Sequence, residues 1–400
     1  MKNVQHAMST TAKKGVTRRE GLLLTALSSA LVLAGCGGGS GGGSIGGATG
    51  SSATGAITGF GSIIVGGVRF DDSVASVQDD DGTGMNSGEL KLGMVVRVKG
   101  GNKTDDGTSI RAKADSIEVR SELQGPVDAK TASSLVVLGQ TVKISAATFF
   151  EDGLSLATLL VGAVVEVHGF VDPVNNNLLA TRIESKPNAK VFKLQGDIKA
   201  LNTITKTFNI GTITISYLTA DVPASLVLAN DVVVRVRLAT TPLTGTRTAL
   251  RIRKFEIENE DRNEAEVEGI ITAFTSTSLF SVNGLPVNAS AATFVGGKAG
   301  IVLGAMVEVE GSVVNGVLVA KKVALDEGEE AARFELHGPI SGLNTAAKTF
   351  VLRGMTVNYG AATFGAGVTA ATLANGLNLV VKGKRSVGNV ILATQISVDI

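Results

Sequence analysis

Apolar and polar residues alternate along this chain in short runs that return at a nearly constant interval. Val96-Arg97-Val98-Lys99, Val165-Glu166-Val167-His168, Val234-Arg235-Val236-Arg237 and Val307-Glu308-Val309-Glu310 carry the period of two that marks a half-buried β-strand. Glycines usually bracket these runs, as in Gly162 to Gly169 and Gly304 to Gly311. The third run has Asp231 and Leu238 at those places, which predicts different turns there. Phe208-Asn209-Ile210, Val142-Lys143-Ile144 and Leu179-Ala180-Thr181-Arg182-Ile183 read as further strands, separated by turn signals such as Val314-Asn315-Gly316. One Ala/Leu stretch per unit, Leu154 to Leu160 or Val368 to Leu377, reads as either a helical turn or a loop.

Three series of positions fix the repeat. Gly55, Gly125, Gly196, Gly269 and Gly338 stand just ahead of each first strand, at steps of 70, 71, 73 and 69 by subtraction. Gly67, Gly139, Gly211, Gly284 and Gly354 form the second series. Ala114/Ile117, Ala180/Ile183, Ala249/Ile252, Ala320/Val323 and Ala393/Ile396 form the third. Local identity agrees: Ser145-Ala146-Ala147-Thr148-Phe149, Ser290-Ala291-Ala292-Thr293-Phe294 and Gly360-Ala361-Ala362-Thr363-Phe364 occupy one place, and Lys206-Thr207-Phe208 matches Lys348-Thr349-Phe350. Five duplicated modules follow, 55–121, 122–191, 192–262, 263–333 and 334–400. About five short strands in roughly 70 residues predict an all-β chain of small closed barrels of the OB type, closure removing the exposed edges that invite aggregation. A sandwich pairing across neighbouring copies is the rival packing, because a single module this small buries little core.

The N-terminal 54 residues have no place in that period. Lys13, Lys14, Arg18 and Arg19 precede the apolar run from Leu22 to Gly35, the layout of an export signal and too short for a comfortable membrane span. Leu33-Ala34-Gly35-Cys36 resembles the lipobox of bacterial lipoproteins, which implies a lipid on the Cys36 thiol and cleavage of residues 1–35. Gly37 stands where inner-membrane retention signals carry Asp, so the resemblance implies an outer-membrane lipoprotein, facing either the periplasm or the surface. Thr17-Arg18-Arg19-Glu20-Gly21-Leu22-Leu23 also resembles a twin-arginine signal, with Gly21 in place of a bulky apolar residue, and leaves both export routes open. Residues 36–54 are nearly all Gly, Ser, Ala and Thr, the composition of a flexible tether spanning roughly 20–25 Å.

Composition narrows the function. Only 18% of residues are charged, aromatic residues are 4%, Trp is absent and Cys36 is the single cysteine. Loss of residues 1–35 leaves 32 basic against 35 acidic residues, a net charge of −3, which with so few aromatics argues against nucleic-acid binding. Tyr217 and Tyr359 are the only tyrosines, a poor supply of stacking platforms for sugars.

The units resemble a bacterial family of unknown function, numbered five-six-six-six, found singly or in tandem in envelope lipoproteins. The shared pattern is a Gly-x-Ile start, a Phe-x-Val strand, Thr-Phe, Gly-x-x-Val-x-Val-x-Gly, then Ala-x-x-Ile. Copies two, four and five match it approximately over their whole length; copy one carries the insertion Asp79 to Gly88 and copy three lacks the glycine pair. The family has no established activity, so the resemblance implies an architecture and no catalytic residues.

Candidate chemistry is sparse. His168 and His337 occupy non-equivalent places in the repeat and are expected as exposed strand residues, and no nucleophile elbow, phosphate loop or carboxylate pair stands out. The glycine clusters Gly59-Phe60-Gly61 and Gly66-Gly67 lack a following helix, so they read as turns. The loop from Asp79 gathers hard oxygen donors, with Asp81 and Thr83 at EF-hand spacing and Glu89 one residue short of the bidentate place. It reads as a calcium loop with Asp79, Asp81 and Thr83 as ligands, or as an acidic hairpin tip; no other cofactor is expected. Acidic segments at Glu258 to Glu264 and Asp326 to Glu330 read as solvated linkers. The expected function is a non-enzymatic, lipid-anchored envelope protein whose modules form an elongated spacer or multivalent surface for protein or matrix. A periplasmic ligand-binding or calcium-dependent adhesive module is the rival.

Overall fold

In a computed structural model, residues 49–107, 109–151, 153–255, 260–326, 333–385 and 390–399 are described. The export signal, the lipobox with Cys36, and most of the Asp326 to Glu330 segment lie outside them.

Five closed barrels fill the described residues, and the second shows the plan. Its strands are Leu123–Lys130, Ser134–Val137, Gln140–Lys143, Val164–Asp172 and Asn177–Ser185. The first pairs antiparallel with the second and the second with the third; the third runs parallel to the fifth, and the fourth closes the wall between fifth and first. This order, 1-2-3-5-4 and back to 1, is that of a small OB-type barrel. The same pairings recur in barrel 1, barrel 4 and barrel 5. Barrel 3 repeats them with its first strand broken at Ile198 into Phe192–Asp197 and Lys199–Asn202. The rival sandwich is thereby excluded.

The three periodic series acquire distinct jobs. The second-series glycines close the hairpin between second and third strands: Leu138-Gly139, Asn283-Gly284 and Arg353-Gly354 all have both residues at positive φ, the two-residue turn that matches strand twist. The Ala and Ile/Val of the third series are buried in every barrel. The first series lies inside the first strand instead of ahead of it. There, Gly125, Gly196 and Gly269 leave a flat spot onto which Leu138, Ile210 and Asn283 fold. Thr148 and Thr363 donate their hydroxyls to the Ala180 and Thr394 carbonyls of the fifth strands, which gives the Thr-Phe motif its purpose. The Ala/Leu stretches form turns with no helix among the described residues, since each is short and has its inward side chains committed to closing the barrel.

The third copy keeps the common geometry despite its sequence. Gly93, Gly162, Gly304 and Gly376 have φ of +80° to +88°, and Asp231 takes the same left-handed conformation at +70°. The closing position falls at a bulge in every barrel, and a Cβ at Gly169 or Gly311 would stand 2.1 or 2.2 Å from a carbonyl oxygen of the fifth strand. Leu238 occupies that bulge in barrel 3 with its side chain fully buried, so the expected change of turn is not found.

The barrels are also paired with one another. Residues Ser51 to Thr54, expected in the tether, begin the first strand of barrel 1, Ser51–Phe60. They pair with the fourth strand of the same barrel and, in parallel, with Glu264 to Val267 of barrel 4. Gly59 and Phe60 pair with Glu335 and Leu336 of barrel 5, while Leu123 and Gln124 of barrel 2 pair with Leu194 and Lys193 of barrel 3. One hydrophobic cluster spans barrels 1 and 5, another barrels 2 and 3, and Val95, Phe170 and Ile270 join barrels 1, 2 and 4. Single barrels of this size bury too little to stand comfortably alone, and shared strand edges with a shared core supply the rest.

Candidate functional site

The polar residues of the alternating runs, silent as isolated strands, meet where barrels dock. In barrel 3, Arg235 and Arg237 of the fourth strand stand opposite Arg253 and Arg251 of the fifth, and Lys193 of the first strand lies beside Arg237. Like charges in directly opposed pairs repel, so this face needs anions. Barrel 1 supplies them from its insertion. Ser76–Asp79 and Gly84–Met85 form a hairpin whose first strand runs along the fifth strand of the barrel, which aims its tip at barrel 3. Asp80 is buried there, with Lys193 at 3.2 Å, Arg235 at 3.0 Å and Arg237 at 3.2 Å. Asp81 pairs with Arg237 and Arg251. Burial alone would raise the Asp80 carboxyl, but the three cations outweigh it and hold its pKa below the usual value.

The candidate calcium ligands are therefore differently engaged. Asp79 Oδ1 accepts the N–H groups of Asp81 and Thr83 at 2.9 and 2.8 Å, folding the tip on itself. Carboxylate oxygens of Asp79, Asp80 and Asp81 come within 4.8 Å of one another. Those of Asp80 and Asp81 already receive ammonium and guanidinium donors, which a cation would have to displace. The loop forms the tip of the hairpin, where Asp80 and Asp81 pair with cations of barrel 3 as a clasp between barrels.

Both histidines are buried, contrary to expectation, because the fourth strand of barrel 2 and the first of barrel 5 pack against neighbouring elements. His168 Nδ1 lies 2.7 Å from the Arg120 carbonyl, an arrangement in which the ring nitrogen donates and Nε2 is left as acceptor. Nε2 is buried without a hydrogen-bond partner, and burial lowers the imidazole pKa. Carboxylate oxygens of Glu166 and Glu184 come within 4.8 Å of the ring nitrogens, but Lys186 Nζ bridges the two at 2.9 Å each, Lys193 lies 3.3 Å from Glu166 and Arg182 2.6 Å from Glu184. His337 sits between Asp399 at 2.9 Å and Glu335 at 2.8 Å, beside Arg69 of barrel 1, which pairs with Glu335. Tyr217 and Tyr359 pack at 5.8 and 5.7 Å on Phe208 and Phe350, as equivalent core pairs.

Barrel 4 turns an acidic face to barrel 1. Glu266 and Glu268 of its first strand stand opposite Glu310 and Glu308 of its fourth. Lys103 Nζ reaches Glu266 at 2.6 Å with both side chains buried, and Glu268 accepts the Ala56 N–H at 3.2 Å. Burial pushes the Glu266 pKa up to about 7, with Lys103 opposing and Glu310 and Glu308 adding to the rise. Glu268 is pushed up to about 8 by burial, then by Asp326 and Glu308. The segment after Asn259 is likewise no mere linker, since Glu260 bonds Lys99 at 2.8 Å and Glu264 accepts the Lys103 N–H.

The pocket between the barrel 1 tip and barrel 3 measures about 50 Å³ and is lined by Asp80, Asp81, Lys193, Arg235, Arg237 and Arg251, among others. The alternation in Val234 to Arg237 signalled two of these cations. Lys193, Arg251 and Arg253 were missed, because only the register between strands brings them alongside.

Fold and docking together define a tandem OB-type β-barrel protein. Residues 124–184, 268–324 and 337–397 match the family described as a domain of unknown function, DUF5666, so barrels 2, 4 and 5 are DUF5666 domains arranged in tandem. Barrels 1 and 3, with the insertion and without the glycine pair, share the strand order and lie outside the matched segments. No curated protein matches the chain. Among solved structures it is similar to one titled "drosophila Unr CSD456", at 13% identity over 52% of this chain and 99% of that one, with a TM-score of 0.14.

Proposed function

We propose that the chain is a non-enzymatic, lipid-anchored protein of the bacterial cell envelope that presents five barrels as one preassembled binding surface for protein or matrix. The observation that carries this reading is the docking of the barrels through first strands and charged faces into a single compact unit over Gly47–Ile400. A flexible string of modules would lose orientational freedom on binding at several points, whereas a fixed array has already met that cost. The lipobox-like Cys36 supports the anchor, and several acyl chains at about 0.8 kcal/mol per methylene hold a protein firmly at a membrane. The test is metabolic labelling with a radioactive fatty acid, followed by protease treatment of intact cells. Label on the wild type and none on Cys36→Ser is expected; an unlabelled wild type defeats the anchor. Cleavage in intact cells places the array at the surface, and cleavage only after the outer membrane is opened places it in the periplasm. The second reading, a ligand-binding role within the envelope, is favoured by the cation-lined pocket between barrels 1 and 3.

A further inference from the structure

The basic face of barrel 3 gathers five cations around one pocket, with Glu166 3.3 Å from Lys193 outside its lining. Five cations, Lys193, Arg235, Arg237, Arg251 and Arg253, line the pocket, against the three carboxylates Asp80, Asp81 and Glu122. Asp221 takes up Arg253 at 2.5 Å from outside the pocket. Two donors remain unused: Arg235 Nη2 and Arg237 Nη1 are buried and have no hydrogen-bond partner. Glu122 lies 3.8 Å from Arg235 Nη2, too far for a hydrogen bond. A guanidinium N–H buried without an acceptor is costly, and fixing it beside a second one is costlier still.

The surroundings hold these donors in place. Arg235 lies over the Phe255 ring at 5.4 Å and bonds Gln195 through Nε at 2.8 Å, while Arg237 Nε bonds Asp81 at 3.1 Å. The adjoining space, about 50 Å³, compares with roughly 10–15 Å³ needed for each water, so it admits one group of four or five heavy atoms. Guanidinium pairs suit oxyanions, whose oxygens accept several N–H bonds at once.

We propose that this pocket is a binding site for a single tetrahedral oxyanion, a phosphate or sulfate group, held by the guanidinium groups of Arg235, Arg237 and Arg251 that line it, and that the ligand completes the seam between barrels 1 and 3. Asp81 competes with that ligand for Arg237 and Arg251, so barrel 1 tunes the site through its acidic tip. The site does not depend on the lipid anchor or on the surface on which the array is displayed.

The experiment titrates the detergent-solubilised full chain with inorganic sulfate, phosphate and acetate against sodium chloride at matched ionic strength, reading heat and Tm. Sulfate and phosphate are expected to bind saturably and raise Tm beyond the chloride control. Arg235→Gln should weaken sulfate binding about tenfold or more, the worth of one charge-assisted hydrogen bond, and Asp81→Asn should strengthen it by a similar factor. The opposite signs separate a built site from general charge, and the second variant keeps the test open if the first fails to fold. Glycerol 1-phosphate binding more tightly than inorganic phosphate marks a head-group or polymer-borne ligand, and the reverse marks the free ion. Equal effects of sulfate and chloride, a response to acetate alone, or weaker sulfate binding by Asp81→Asn overturns the proposal.

Discussion

Barrels 3 and 4 carry the same structural positions with opposite charge. Lys193, Gln195, Arg235 and Arg237 in barrel 3 occupy the places that Glu266, Glu268, Glu308 and Glu310 hold in barrel 4, as the two strand registers show. Barrel 1 meets each with the complementary sign, Asp80 and Asp81 toward barrel 3 and Lys103 toward barrel 4. Duplication thus supplied one outer face on the first, fourth and fifth strands, and divergence of its charges determines which neighbour it accepts. Barrel 3 has several anions against several cations, whereas on barrel 4 Lys103 meets Glu266 within a row of carboxylates that Lys322 approaches at 3.8 Å from Glu310. The first interface is held by charge, and the second keeps part of its acid neutral.

The largest effect is expected from Asp80→Ala. Removing this carboxylate leaves Lys193, Arg235 and Arg237 facing one another, and breaking a buried pair on one side costs about 3–5 kcal/mol. Urea denaturation followed by circular dichroism reads the loss directly, and a change below 1 kcal/mol means the clasp is not what joins barrel 1 to barrel 3.

Acidity should then divide the two interfaces. The pKa values of Glu266 and Glu268 are raised, so their contribution is full near pH 4.5 and below and is lost as pH climbs through about 7 and 8. The lowered pKa of Asp80 gives the reverse: its contribution is present above about pH 3.8 and is lost as pH falls further. Hydrogen exchange at Ser51 to Thr54 should accelerate between pH 5 and 8 relative to the intrinsic rate, while Val233 to Leu238 stays protected. Glu268→Gln keeps an acceptor for Ala56 N–H and should stabilise the chain at pH 8 by roughly 2 kcal/mol, with little change at pH 5. Equal stabilisation at both pH values would remove titration as the reason.

Smaller effects belong to the turn before the fourth strand. Gly304→Ala in barrel 4 places a methyl group in the left-handed region and 2.7 Å from Val174 of barrel 2, for a loss of about 1–2 kcal/mol in thermal unfolding. Asp231→Gly in barrel 3 relieves the same backbone strain but gives up the Lys199 ion pair at 2.5 Å, which is exposed, so a gain of only a few tenths of a kcal/mol is expected. A loss at Asp231→Gly would show that the ion pair outweighs the strain.

How much of this was legible in the sequence depends on the range of the interaction. Val165, Val167, Val234, Val236, Val307 and Val309 were readable as inward positions, and all are buried, because a strand's period of two is local geometry. The paired matches Lys206-Thr207-Phe208 and Lys348-Thr349-Phe350 fold alike down to positive φ at both lysines, as local sequence identity leads one to expect. The histidines were misjudged since their burial comes from partners distant in the chain: Arg120 lies 48 positions from His168, and Asp399 lies 62 from His337. The clasp was hidden for the same reason, with Asp80 and Arg235 separated by 155 residues. Their signs were visible, but nothing in either segment indicates that the two meet.

By itself the sequence determined the five-fold repeat, the strands, their inward faces and the two-residue turns, all consequences of backbone stereochemistry and side-chain alternation over a few residues. The tertiary structure alone decided that the barrels pack around the first strand of barrel 1, and that Arg235 Nη2 and Arg237 Nη1 stay buried without acceptors. It also decided that the carboxyls of barrel 4 are pushed toward neutrality. Those outcomes depend on desolvation and on charges brought together from strands distant in the chain, which no local pattern encodes.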